Sequence, residues 1–247
     1  MKLVFLDTEV TGLEKEDKLC QIAYMIVDTQ TNEMKIFESL CNPGMPITQG
    51  ASECHGITDS MVQNKLPFIK TELYKDLQTL NHKESCLIAH SAQFDIGMLA
   101  RDGLIWEGEV IDTLKCARRL YNQSKISSFA LQNLRKEFDL NALETTLAKE
   151  LNIEIKAHDA AGDVLSLYAL YRHLIDTLNI DYNKLIEISN SVEKIKYIPF
   201  GKYRNKTFLE VANSDSKYLE WIVQNDFDES IIYSAKSALE DVKNTNL

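Results

Sequence analysis

The first twelve residues, Met1–Gly12, read MKLVFLDTEVTG, and this stretch decides the fold. Leu3 to Leu6 is an unbroken apolar run with β-branched Val4 and aromatic Phe5, so Lys2 to Leu6 reads as a buried strand. Side chains alternate along a strand, so Asp7 and Glu9 point to one face at the end of that strand. Thr11-Gly12 then breaks into a turn. Two like charges in such a place are costly unless a cation lies between them.

Working outward, QIAYMIVD (21–28) and EMKIFESL (33–40) read as two further strands joined by the polar turn TQTN, which gives an antiparallel meander. NPGMPI is loop. Beyond about Lys70, helices alternate with short strands: an amphipathic KTELYKDLQTL, a buried SCLIAH, a helix AQFDIGMLAR with Phe94, Met98 and Leu99 on one face, and a short EVIDT. Helical spacing recurs over 113–121, 128–138 and 160–178. A meander followed by alternating helix and strand predicts a mixed sheet covered by helices.

Two more acids sit at element starts. Asp95 falls in the first turn of the helix after SCLIAH, and Asp163 opens the helix of 160–178, with His158 five residues earlier on a loop. Taken singly, either acid reads as an N-cap or first-turn residue. Together with Asp7 and Glu9 they place four acids toward one sheet edge. At ~4 Å and an effective dielectric of ~20, each carboxylate pair costs about 4 kcal/mol. Such a cluster requires cations. All-oxygen ligands specify a hard ion, Mg²⁺ or Mn²⁺. A bridging Asp7 suits two such ions about 3.5–4 Å apart, the arrangement of phosphoryl hydrolysis. His158 is placed to take a proton from the attacking water. Cys54 and His55, being adjacent, cannot easily aim at each other as a nucleophile–base pair.

These residues carry a resemblance. FLDTEVTG, AHSAQFDIGML and HDAAGD resemble, in order and spacing, the three motifs of the DnaQ-like DEDD exonucleases, and His158 with Asp163 resembles the third motif of the DEDDh branch. The match covers roughly residues 1–180 and includes ECHGIT and VIDTLKCARRL. It implies an α/β, ribonuclease H-like mixed sheet flanked by helices, and 3′→5′ removal of nucleoside monophosphates with two divalent cations. In that scheme Asp7, Glu9 and Asp163 bind the first metal, Asp7 also reaches the second, Asp95 supports the site, and His158 is the base. Thr8, Val10, Thr11 and Gly12 line the terminal nucleotide, with His55, His90, Ser91 and Phe94 on the substrate side. One departure is Ser91, where the family pattern His-Asn-Ala has asparagine.

The C-terminal stretch IPFGKYRNKTFLEVANSDSKYLEWIV is similar to the small C-terminal module of exonuclease X-like proteins. Its Thr207 and Glu210 are spaced as a capping box, and Tyr218, Trp221 and Ile222 form an apolar face. The division expected is an exonuclease domain over 1–180, a linker or polar helix over 181–196, and a small module over 197–247. This resemblance tilts the substrate toward DNA, in repair or proofreading, over the alternatives of an exoribonuclease or a polymerase-bound interaction subunit. A polymerase or other replication or repair protein is the expected partner besides DNA 3′ ends.

The net charge, 27 − 37 = −10, argues against a polyanion partner except at local patches. Lys194, Lys196, Lys202, Arg204 and Lys206 form one such patch, 13 residues without an acid. Lys115, Arg118, Arg119 and Lys125 form a looser second one. No run approaches 18 apolar residues, the chain enters its first strand without a signal-peptide pattern, and the five scattered cysteines read as reduced thiols of a cytoplasmic protein.

Overall fold

A computed structural model of the chain describes residues 1–121, 126–153, 160–192, 194–225, 227 and 229–245. The chain divides into two compact units, Met1–Ser189 and Asn190–Leu247.

The first unit is built on a five-stranded sheet in the order β3-β2-β1-β4-β5. Its strands are β1 (Lys2–Val10), β2 (Leu19–Asp28), β3 (Met34–Leu40), β4 (Ser85–Ala89) and β5 (Glu109–Asp112). β1, β2 and β3 form the expected antiparallel meander, and β4 and β5 run parallel to β1, so the sheet is mixed. The helices of this unit are α1 (Gln49–His55), α2 (Asp59–Val62), α3 (Glu72–Leu80), α4 (Ala92–Arg101), α5 (Thr113–Leu120), α6 (Leu131–Glu137), α7 (Asn141–Leu151), α8 (Ala160–Leu178) and α9 (Tyr182–Asn190). The second unit carries α10 (Phe208–Ser214), α11 (Ser216–Gln224) and α12 (Glu229–Thr245).

Both faces of the sheet are covered, which is why β1 is apolar without alternation. Leu3 and Phe5 share a core with Val164, Leu167 and Leu170 of α8. Val4 and Leu6 share the opposite core with Leu77 of α3 and Leu99 of α4. Phe5 meets Tyr168 and Tyr171 edge-on at centroid distances of 5.1 and 5.2 Å. Its full burial is worth about 1.5–3 kcal/mol.

β1 runs past its parallel neighbour. Pairing with β4 ends at Phe5–Ile88, whereas pairing with β2 continues through Asp7–Ala23 to Glu9–Gln21, with a register shift between Glu9 and Val10. The end of β1 therefore overhangs the point where β4 turns into α4. Crevices beyond the carboxyl ends of strands in open α/β sheets are where ligands sit.

Several elements differ from the sequence reading. The segment around His55, given no element above, is helical: His55 is the last residue of α1, closed by Gly56 in the left-handed region. α7 and α12 lie outside the helical stretches read above, although Leu147 and Ala148 of α7 and Ala235 and Ala238 of α12 are buried. Of the three residues expected on one face of α4, Met98 and Leu99 are buried, but Phe94 is 36% exposed. The stretch 181–196 begins with α9, whose Leu185 and Ile188 are buried in the α8-side core, so the first unit extends to Ser189.

Candidate functional site

The odd-numbered row of β1 side chains faces α8, and Asp7 and Glu9 continue that row beyond Phe5. Asp163 sits in the first turn of α8. One carboxylate oxygen from each of Asp7, Glu9 and Asp163 lies within 4.8 Å of the other two. The start of α8 is tied to the sheet through Gln21, the partner of Glu9 across β1 and β2. Gln21 accepts from the Ala160 N–H at 3.5 Å and donates through Nε2 to the Glu38 carboxylate. Gln132 of α6 donates through Nε2 to Asp163 Oδ1, which fixes the rotation of that carboxylate. Gln132 has no signature in the sequence, because only the tertiary fold brings α6 to the head of α8.

At a separation of 4.8 Å and an effective dielectric of about 20, each pair of these carboxylates repels by about 3.5 kcal/mol. A donor set made only of carboxylate oxygen fits hard divalent cations. Asp7, Glu9 and Asp163 are the residues that would hold them.

Asp95 stands apart from this triple. Even-numbered side chains of β1 face α4, so Thr8 points away from Asp7 and Glu9, and its hydroxyl donates to Asp95 Oδ1 at 2.7 Å. Asp95 is buried, and burial pushes its carboxyl up to about 7. The fourth expected acid thus braces the strand from the opposite face, through Thr8.

Several residues expected at the substrate are engaged inside the fold instead. The Thr11 hydroxyl donates to Asp17 Oδ1 at 2.6 Å, and Thr11 is fully buried. Asp17 also accepts the Glu14 N–H at 2.7 Å, and a Cβ on Gly12 would lie 2.5 Å from Asp17 Oδ2, so this turn requires glycine. The Val10 carbonyl accepts from His55 Nε2 at 3.1 Å, and His55 Nδ1 accepts the Ile57 N–H at 3.0 Å. His90 is spent in the same way: Nε2 donates to the Phe129 carbonyl at 2.8 Å, and Nδ1 lies 2.9 Å from the Thr113 hydroxyl. Neither imidazole keeps a ring nitrogen for a ligand. Phe94 remains open to solvent, and His158 lies outside the described residues.

Burial holds both rings below the ordinary histidine value of 6.5. A depressed value in the fold means stability present above pH 6.5 and lost as pH falls through the folded-state value. The His90→Gln variant, with no ring to charge, is expected to lose less melting temperature than the parent between pH 7.5 and pH 5 in EDTA. Paired thermal melts at the two pH values check this.

Ser91 adopts the left-handed conformation (φ 72°, ψ 51°), which asparagine tolerates better than serine. That geometry aims two successive N–H groups at one acid: Ser91 and Ala92 donate to Asp112 at 3.2 and 3.0 Å. The same carboxylate accepts from Leu114 and Lys115 at 3.0 and 3.1 Å, so it caps α5 while anchoring the start of α4. An acid between an apolar strand and a helix is a legible N-cap, but its second task is not. Asp112→Ala strips both helix starts of an acceptor and is expected to cost about 2–4 kcal/mol, as the loss of two caps. Urea denaturation measures it.

Residues 4–171 match the family described as Exonuclease. The chain belongs to the exonuclease family. In this exonuclease, residues 198–227 match a second family, described as Exodeoxyribonuclease X-like C-terminal. It is 30% identical over 229 residues to Exodeoxyribonuclease 10 of Escherichia coli (strain K12), covering 90% of this chain and 91% of that protein. It is 27% identical over 243 residues to DNA polymerase III subunit epsilon of Buchnera aphidicola subsp. Schizaphis graminum, covering 89% of this chain and 97% of that protein. Among solved structures, exonuclease X in complex with 5′ overhanging duplex DNA superimposes with a TM-score of 0.57 at 25% identity, over 76% of this chain and 99% of that one. The exonuclease fold is therefore the ribonuclease H-like mixed sheet that the motifs implied.

Proposed function

We propose that this exonuclease is a divalent-metal-dependent 3′→5′ exodeoxyribonuclease that releases nucleoside monophosphates from a free DNA 3′ end, in repair or proofreading. The observation that carries this is the convergence of Asp7, Glu9 and Asp163 within 4.8 Å at the overhanging end of β1. DNA is the substrate class borne by the names of Exodeoxyribonuclease 10 and of the exonuclease X–DNA complex. The kinship with polymerase III epsilon supports a polymerase or other replication protein as partner. Four free, buried cysteines, Cys20, Cys41, Cys86 and Cys116, fit a reducing compartment such as the cytoplasm. Among the described residues no helix is long and apolar enough to cross a membrane.

In this reading Asp7, Glu9 and Asp163 would hold two cations, Mg²⁺ or Mn²⁺, with Asp7 assigned to both and Asp95 supporting the site. Bound, these supply Lewis-acid stabilisation of the charge that builds on the phosphoryl oxygens. The protein does the rest. Gln132 orients Asp163, and Asp95 fixes the strand through Thr8. His55 holds the Val10 carbonyl, so the terminal nucleotide meets the backbone of 8–12 while the side chains of Thr8 and Thr11 look inward. Phe94 offers an open apolar ring to the sugar or base. His158 takes the proton from the attacking water.

The test is digestion of 5′-labelled single-stranded DNA, duplex DNA and RNA side by side. A ladder shortening from the 3′ end of DNA is expected, stopped by EDTA and slowed by a 3′-phosphate. Cuts within a circular single strand would overturn the polarity, and faster loss of RNA would overturn the substrate class.

A further inference from the structure

In the C-terminal unit the five-cation strip does not act as a strip. Lys194 pairs with Asp241 at 3.2 Å and Lys202 with Asp215 at 2.9 Å, each acid lying far outside the basic stretch in sequence. The remaining cations sit on a compact hairpin. Tyr197 and Thr207 form an antiparallel bridge, Ile198 N–H donates to the Lys206 carbonyl at 2.9 Å, and Asn205 N–H donates to the Ile198 carbonyl at 2.9 Å. The tip turns at Gly201, in the left-handed region with φ 66°, where a Cβ would lie 2.6 Å from the Tyr218 hydroxyl.

Alternation along this hairpin separates an inner from an outer row. Ile198 is buried with Phe208, Val211, Leu219 and Ile222. Its neighbour Tyr197 faces out, 51% exposed, with Lys196 Nζ 5.2 Å from the ring centroid. Lys196, Arg204 and Lys206 are exposed, and among the described residues none of them forms a salt bridge. Glu210, the nearest acid in sequence beyond the strip, is taken up by the N–H and hydroxyl of Thr207 at 2.8 and 2.9 Å. Three exposed cations on one hairpin, one of them against an open aromatic ring, form a local exception to the polyanion repulsion of a chain of net charge −10.

We infer that this hairpin is an accessory single-strand site, in which Lys196, Arg204 and Lys206 grip DNA phosphates and Tyr197 stacks a base. Basic residues that track a backbone beside a stacking platform are the chemistry by which single strands are held without sequence preference. The inference rests on the exonuclease reading above and adds a second point of contact to it. Lys194 and Lys202, already neutralised by their partners, take no part.

The experiment uses the full chain in EDTA, with binding of a labelled oligo-dT measured by anisotropy over a salt series. The triple variant Lys196→Gln, Arg204→Gln, Lys206→Gln is expected to flatten the slope of log K against log[salt] by about 2, at roughly 0.7 per phosphate released. Tyr197→Ala is expected to weaken binding about tenfold with the slope unchanged. Lys196→Arg with Lys206→Arg keeps the charge and should keep the slope, and Lys194→Gln with Lys202→Gln should leave it unmoved. With metal restored and DNA saturating, the triple variant should keep its turnover rate while its KM rises. Parallel salt lines for the parent and the triple variant overturn the accessory site. Because the parent's degradation of DNA is scored separately, that outcome is distinct from failure of the exonuclease reading, in which the parent degrades nothing.

Discussion

Asp7→Ala is expected to abolish DNA degradation, with a loss of at least about 10³-fold. Asp7 is the acid assigned to both cations, and removing it withdraws some 4 kcal/mol or more of stabilisation from the charge building on the phosphoryl oxygens. The fold should survive. Asp7 lies past the end of the parallel β1–β4 pairing, where β1 still pairs with β2, and it repels Glu9 and Asp163 within 4.8 Å. Deleting one charge from that triple relieves the metal-free protein, so its melting temperature in EDTA should equal or exceed the parent's. The cation response separates the two effects. Mn²⁺ is expected to raise the parent's melting temperature by binding the folded state, and the variant should lose that rise. A variant that is unfolded in EDTA, or one that keeps near-normal turnover, would make Asp7 a structural residue.

His158→Ala should cost roughly 10²–10⁴ in rate, the usual contribution of a general base. The two variants differ in what they spare. His158 is assigned no cation, so the Mn²⁺ shift in melting temperature should persist unchanged while turnover collapses. The pH–rate profile should also lose its acidic limb, since the group that must be unprotonated to accept the proton is gone. A matching loss of Mn²⁺ affinity would reassign His158 from proton acceptor to ligand. The remaining histidines do not compete for the role. His55 and His90 have both ring nitrogens committed within the fold, His82 bonds Glu84 and Ser85 beside it, and His173 of α8 stacks on Phe138 at 4.3 Å with Nδ1 against Thr177.

The sequence alone determined what is local. Apolar run length and alternation located the five strands and α8 to within a few residues, because burial on a strand or helix face is written in its own period. The capping box at Thr207 and Glu210 is present in both halves, since its partners are three residues apart. The acids at the end of β1 and at the start of α8 led to the expectation of a cation site through their electrostatic cost, and the fold brings Asp7, Glu9 and Asp163 within 4.8 Å. Sequence also marked Ser91 as a departure, without showing that the position demands a left-handed backbone.

Tertiary structure decided which of these residues meet. Alternation on β1 sends Asp7 and Glu9 to α8 and Thr8 to α4, and this split separates Asp95 from the triple that Asp163 completes. A linear pattern gives the period of a strand but not which helix covers each face. Likewise, a histidine beside a motif looks available until a carbonyl from elsewhere accepts its N–H, as Phe129 does for His90 across 39 residues. Lys194 reads as a lone surface charge in the sequence, yet it pairs with Asp241, 47 residues away, at 3.2 Å. Hydrogen bonds and ion pairs are satisfied by whatever the fold brings within reach, so the availability of a side chain is a property of the folded chain.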